Sequence, residues 1–260
     1  MKILCVGDVC GSIGCSMLEN HLNKIKKQHK IDFTVVNGEN SADGNGIVPS
    51  SAEWIISVGA DVITGGNHSF RRPEIFTFYD EHPYVLRPHN VKVTESGSGY
   101  YLCDMGKYKI AVINLSGKIY LDRVEADNPF ITADFLLEKA KDDGAHIILV
   151  DFHAEATSEK RAMGFYLDGK ISAMFGTHTH VQTADADILP NGTGYITDLG
   201  MTGPKNSVLG VKSEIIINRL RDNDMSKFEL ADGPCILSGC IFEIDETSGK
   251  TLNVTTICIE

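Results

Sequence analysis

Five short apolar runs in this chain each give way to residues that can bind a metal ion. The run ends read GDVCG (7–11), NGEN (37–40), GGNH (65–68), DFHAE (151–155) and GTHTH (176–180). A short apolar run closed by glycine and polar residues predicts a buried strand. Asp8, Glu39, Asn40, Asn67, His153, His178 and His180 therefore fall at or just past strand ends. In open α/β sheets, ligands gather beyond the carboxyl ends of the strands. The chain is thus restricted to α/β architectures in which several strand ends converge on one edge.

The segments between these runs fit that frame. Leu18, Leu22 and Ile25 recur at helical spacing ahead of a basic KKQHK tail. Ser50-Ser51-Ala52-Glu53 reads as a capping box opening a helix that stops at Gly59. Pro73 is placed to open a further short helix, and a helix is predicted from Thr132 to Gly144. Residues 2–7, 32–37, 61–64, 146–152 and 171–176 read as strands, and 99–115 as a hairpin turning at Gly106. Residues 184–197 read as two strands joined at Pro190-Asn191-Gly192, and strands are expected near 211–218, 236–244 and 251–259. No linker, repeat or low-complexity tract interrupts the 260 residues, so one domain over 1–260 is expected. An α/β first half and a β-rich second half predict two packed sheets with helices outside.

Composition narrows the function. A formal net charge of −11 repels a nucleic-acid backbone, and no basic stripe is present. Positive charge for a phosphate would have to come from bound cations. No run approaches the ~18 apolar residues of a membrane span, and the run at 3–6 breaks at Gly7-Asp8 too soon for a secretory segment. Seven cysteines without a CxxC pair indicate neither a disulfide framework nor a structural zinc. Reduced thiols and a cytoplasmic location are expected.

Each cluster alone has a plain alternative. Asp8 could cap a helix, Asn40 and Asn67 could serve turns, and a strand-end histidine is more often structural than a ligand. The glycines at 7, 11 and 14 do not form G-x-G-x-x-G, which argues against a dinucleotide site despite the acid at the end of the second strand. Glu39 has no turn role to explain it, and one carboxylate can bridge two cations. Gly65-Gly66 lets the backbone approach a ligand closely, which leaves His68 beside the metals as an acid or base. His178 and His180, one residue apart, face the same way on extended chain. Carboxylates, amide oxygens and imidazoles together suit manganese, iron or zinc better than calcium or magnesium.

The order of clusters (GD, an acid, GNH, a lone His, then G-x-H-x-H) resembles the calcineurin-like metallophosphoesterase superfamily. Within it, NGENSADGNGI (37–47), DFHAEATSEK (151–160) and GTHTHVQTADADILPNGTGYITDLGMTGP (176–204) resemble the YmdB-like phosphodiesterases almost word for word. The likeness spans essentially the whole chain. It implies a four-layer αββα sandwich with two metal ions per chain at the strand ends, iron or manganese first and zinc or magnesium as further options. Asp8, Glu39, Asn40 and His180 would hold one ion, Asn67, His153 and His178 the other, with Glu39 shared. His68 would be the general acid. The superfamily opens with D-x-H, whereas Cys10 stands at that histidine here; Asn40 is implied to take its place, and Cys10 is read as a buried neighbour. The implied substrates are small phosphodiesters, cyclic nucleotides and 2′,3′-cyclic ones above all, and the resemblance is compatible with a homo-oligomer. A metal-dependent phosphomonoesterase and a non-catalytic nucleotide sensor are the competing expectations.

Overall fold

In the computed structural model, which describes residues 1–93, 95–121 and 125–260, the chain opens with β1 (Lys2–Val6). A two-residue strand β2 (Asp8–Val9) follows, then α1 (Gly11–His29). Next come β3 (Phe33–Asn37), α2 (Pro49–Ser57), β4 (Val62–Thr64) and α3 (Ile75–Glu81). The second half begins with the hairpin β5 (Tyr100–Asp104) and β6 (Lys109–Ser116), then α4 (Pro129–Asp142) and β7 (Ile147–His153). It continues with α5 (Thr157–Leu167), β8 (Ala173–Thr177), β9 (Asp187–Ile188), β10 (Gly194–Ile196) and β11 (Met201–Pro204). The chain closes with α6 (Ser213–Asp222), β12 (Cys235–Ile244) and β13 (Thr251–Ile259). Among the described residues, no helix is long and apolar enough to cross a membrane.

Two mixed sheets form. The first runs β2-β11-β12-β1-β3-β4, with β13 paired to β12; the second runs β5-β6-β7-β8-β10-β9. β1, β3 and β4 are parallel to one another, as are β6, β7, β8 and β10.

The two-residue alternation of a strand explains the layering. Along β1, Leu4 and Val6 pack with Leu18 and Leu22 of α1 and Ile55 of α2. Ile3 and Cys5 point the other way, into a core that Ile110, Val112, Leu149 and Phe175 fill from the second sheet. The opposite face of that sheet packs Ile113, Val150 and Met174 against Leu136 of α4 and Met163 of α5. Three stacked apolar cores separate four layers, helix–sheet–sheet–helix. Each fully buried aliphatic side chain in them contributes about 1.5–3 kcal/mol.

Several sequence expectations shift. The strand expected at 211–218 is instead helix α6. Three consecutive isoleucines there suggest β, but Glu214 lies in the first turn and Arg219 and Arg221 in the last, which suits the helix dipole. The capping residues move as well. Ser51 Oγ accepts the main-chain N–H of Val48 at 3.2 Å, so α2 starts at Pro49 rather than from a Ser50–Glu53 box. Asn128 caps the N–H groups of Phe130 and Ile131, and α4 begins at Pro129 rather than Thr132.

Candidate metal centre

The carboxyl ends of β3, β4, β7 and β8 meet where the sheets face one another, and there the seven candidate ligands and His68 come together. Asp8 lies in β2, which β11 pairs in parallel. Glu39 and Asn40 follow β3, and Asn67 and His68 follow β4. His153 is the last residue of β7, while His178 and His180 lie just past β8.

Around His153 the candidate ligand atoms crowd closely. Its Nε2 lies 2.8 Å from Asn67 Oδ1, 3.0 Å from His178 Nδ1 and 3.3 Å from Glu39 Oε1. Four tetrahedral donors at about 2.0–2.2 Å from one ion would sit roughly 3.3–3.6 Å apart, so little movement separates this cluster from a ligand shell. Glu39, His153 and His178 can each offer one ligand atom, all within 4.8 Å of one another. A second group adjoins it. His180 Nε2 is 3.6 Å from Asp8 Oδ1 and 3.4 Å from Asn40 Nδ2, and Asn40 Nδ2 is 2.9 Å from Glu39 Oε1.

The electrostatics fit a cation. Asp8 is fully buried and its Oδ1 has no hydrogen-bond partner, a costly state for a carboxylate. Burial, then the charge of Glu39, push its carboxyl well above the usual range. Burial opposes ionisation of Glu39 too, but contacts with His153 and His68 outweigh it and hold this carboxyl below the carboxylate range. Burial drives His153, His178 and His180 down, so all three favour neutral imidazole, the form that ligates metal.

The neighbours fix which nitrogen of His153 carries the proton. Thr177 Oγ1 donates to Asp151 Oδ1 at 2.7 Å and lies 2.9 Å from His153 Nδ1. With its single proton committed to Asp151, the hydroxyl must accept from Nδ1–H, which leaves the Nε2 lone pair facing the cluster. Asp151 is itself pushed up to about 7 by burial, against hydrogen bonds from Thr64, Thr177 and Asn37. Sequence reasoning gave Asp151 and Thr177 no role. Asp151 lies two residues before His153 and so shares its strand face, which is the signal that could have found it.

His178 and His180 are not on extended chain. Their φ angles are 104° and 62°, a left-handed region that non-glycine residues enter at a cost and usually at functional sites. The same-side argument from strand periodicity therefore does not apply, and the two rings belong to different groups of the cluster. Contacts with buried acids hold this loop. Asp8 Oδ2 accepts the His178 N–H at 3.2 Å, and Asp198 Oδ2 accepts the Thr179 N–H at 3.1 Å. Asp198 is in turn paired at 2.7 Å with Lys160, and both side chains are essentially fully buried. Glu155 Oε2 lies 3.0 Å from His178 Nε2. Neither Lys160, Asp198 nor Glu155 was singled out by sequence. Cys10, by contrast, lies where the sequence put it: buried, 3.6 Å from His180 Nδ1, with its thiol pushed well up by burial.

Gly66 admits the close approach. A Cβ there would lie 2.2 Å from Glu39 Oε2 and 2.3 Å from the His153 ring. Gly66→Ala is expected to displace one of the two and weaken metal binding about 10–100-fold, measured by titrating metal-free protein with Mn²⁺. Wild-type affinity in that variant would show that the cluster does not assemble around an ion.

The YmdB-like protein family matches residues 4–257. The 2′,3′-cyclic-nucleotide 2′-phosphodiesterase of Bacillus subtilis is 45% identical over 259 residues, covering 100% of this chain and 97% of that protein. The crystal structure of a phosphatase from Mycoplasma pneumoniae superposes with a TM-score of 0.93 at 33% identity, covering 100% of this chain and 93% of the other. Haemophilus influenzae NAD nucleotidase shares the fold (TM-score 0.62, 15% identity, 99% of this chain and 55% of that one). The chain belongs to the YmdB-like family.

Proposed function

We propose that the protein is a two-metal phosphodiesterase that hydrolyses cyclic nucleotides, 2′,3′-cyclic ones in particular. The observation that carries this reading is the buried, unpartnered Oδ1 of Asp8 within a nest of neutral imidazoles and amides around Glu39. The sequence similarity to the Bacillus subtilis enzyme supports the substrate class. Asp8, Glu39, Asn40 and His180 would hold one ion, and Asn67, His153 and His178 the other, with Glu39 shared. When bound, the two ions would supply Lewis acidity, neutralising phosphate charge and making a water nucleophilic near neutral pH.

The remaining steps belong to side chains of the chain itself. His68 is anchored by its main-chain N–H on Glu39 Oε2 at 2.9 Å, and its Nδ1 lies 2.9 Å from Asn40 Oδ1. With its Nδ1–H donating to Asn40 Oδ1, a doubly protonated His68 carries its second proton on Nε2, which has no partner among the described residues, and the ring borders the cavity. That proton would pass to the departing 2′ oxygen as water adds to phosphorus and the P–O2′ bond breaks, and the proton the water gives up would restore the ring, so the step balances. A cyclic diester becomes a 3′-monoester in this way.

The direct test is a panel of 2′,3′- and 3′,5′-cyclic nucleotides assayed with Mn²⁺ and with EDTA, alongside elemental analysis of protein purified without chelator. Turnover of the 2′,3′ compounds that EDTA abolishes, with more than one metal per chain, is expected. Less than one metal per chain, or turnover indifferent to EDTA, would rule out the two-metal reading.

A further inference from the structure

The cavity that holds the candidate ligands measures about 350 Å³, near the lower end of the range for small-molecule sites. One side is the polar cluster. The other is apolar, made by Val208, Leu209, Val211, Ile216, Phe228 and Leu230. None of the residues lining the cavity is Lys or Arg, so no protein cation waits there for a second phosphate. A substrate that satisfies both halves carries one phosphodiester and one flat, largely apolar body close to it.

Much of the main chain of the apolar wall is already paired. Val208 and Val211 exchange both of their N–H···O bonds with each other, at 2.9 and 3.0 Å. The Lys212 N–H donates to Glu229 O at 3.0 Å, and Leu209 O lies 3.2 Å from His180 Nδ1. Neither the apolar side chains of this wall nor the paired main-chain groups of Val208 and Val211 are therefore placed to read the edge of a base by hydrogen bonding. Phe228 is held in place from another side. The Arg219 guanidinium, which does not line the cavity, sits 4.1 Å from the centre of its ring and donates to Ser226 O at 2.7 Å. Phe228 is nevertheless 42% exposed.

Resting on the cyclic-nucleotide reading above, we infer that the 208–230 wall is the nucleobase platform, with Phe228 as its stacking residue, and that the enzyme accepts the four common bases alike. Every base has a π-face, so stacking on an aromatic ring is tolerant of sequence. A site that hydrogen-bonds a substrate edge, by contrast, rejects the wrong partner by ~10⁴ or more.

The test compares the 2′,3′-cyclic phosphates of adenosine, guanosine, cytidine and uridine with methyl β-ribofuranoside 2′,3′-cyclic phosphate, which has no base. Wild-type kcat/KM is expected to agree within about tenfold across the four nucleotides, with the base-free compound at least ~10-fold poorer through KM. Phe228→Ala should raise KM for all four toward the base-free value and leave the base-free compound unchanged, while Phe228→Trp keeps the low KM. A hundredfold preference among bases, or an equal loss on nucleotides and the base-free compound, would overturn the platform. Failure of the substrate reading itself looks different. In that case the wild type turns over none of the five compounds yet hydrolyses bis(p-nitrophenyl) phosphate, and the platform falls with it.

Discussion

Glu39→Ala protein is expected to purify without its full metal complement and to lose phosphodiester hydrolysis with it, turnover falling at least ~10³-fold. The magnitude follows from the several kcal/mol of charge stabilisation that a metal pair contributes, at about 1.4 kcal/mol per factor of ten. Glu39 is the residue both groups of the cluster touch. Its Oε1 lies 2.9 Å from Asn40 Nδ2 on one side and 3.3 Å from His153 Nε2 on the other. On the proposed assignment, removing it would take a shared ligand from two positions at once, whereas loss of His180 or Asn67 would take one ligand from one. Glu39→Gln keeps the shape and lacks the second anionic oxygen, so it should behave like the alanine variant in metal content. Circular dichroism should stay at the wild-type value, because Glu39 lies past the end of β3 and outside the apolar cores. Full metal content and turnover in either variant would show that Glu39 is not the shared ligand.

His68→Ala separates chemistry from metal binding. It should retain both ions and lose roughly 10²–10⁴ in turnover on cyclic nucleotides, the usual worth of a general acid. The loss should shrink when the leaving group is p-nitrophenolate, which departs without a proton. His68 contributes no atom to the groups around Asp8 and His153 except through Asn40 and Glu39, and its ring is 30% exposed at the cavity. Equal losses on good and poor leaving groups would assign His68 to positioning Asn40 and Glu39 instead.

The layers and most of the cluster were legible because they follow from local rules. A buried β strand shows as a continuous apolar run, and its end shows as the polar residues that close it, as Asp151 and His153 close β7. Tertiary context hides the rest. The isoleucines at 215–217 look like a strand, yet Ile217 is exposed and Ile216 turns to the cavity, because α6 belongs to none of the three cores and is judged by its wall rather than by its run. The left-handed turns at His178 and His180 carry no sequence mark, and the carboxylates that hold the loop at His178 and Thr179, Asp8 and Asp198, lie 170 and 19 residues away. Lys160 looks like a surface residue on a helix until the sheet edge brings Asp198 to it.

The placement of the cluster between the sheets bears on how the protein would open. Asp8, Glu39 and Asn67 come from the first sheet, and His153, His178 and His180 from the second. Bound ions would therefore act as rivets between the strand ends of the two sheets. Parting the sheets would release the metal, so bound metal would oppose that opening by mass action. The amides beside the rivets, at the ends of β3 and β7, would then be among the last to exchange with solvent in the loaded protein.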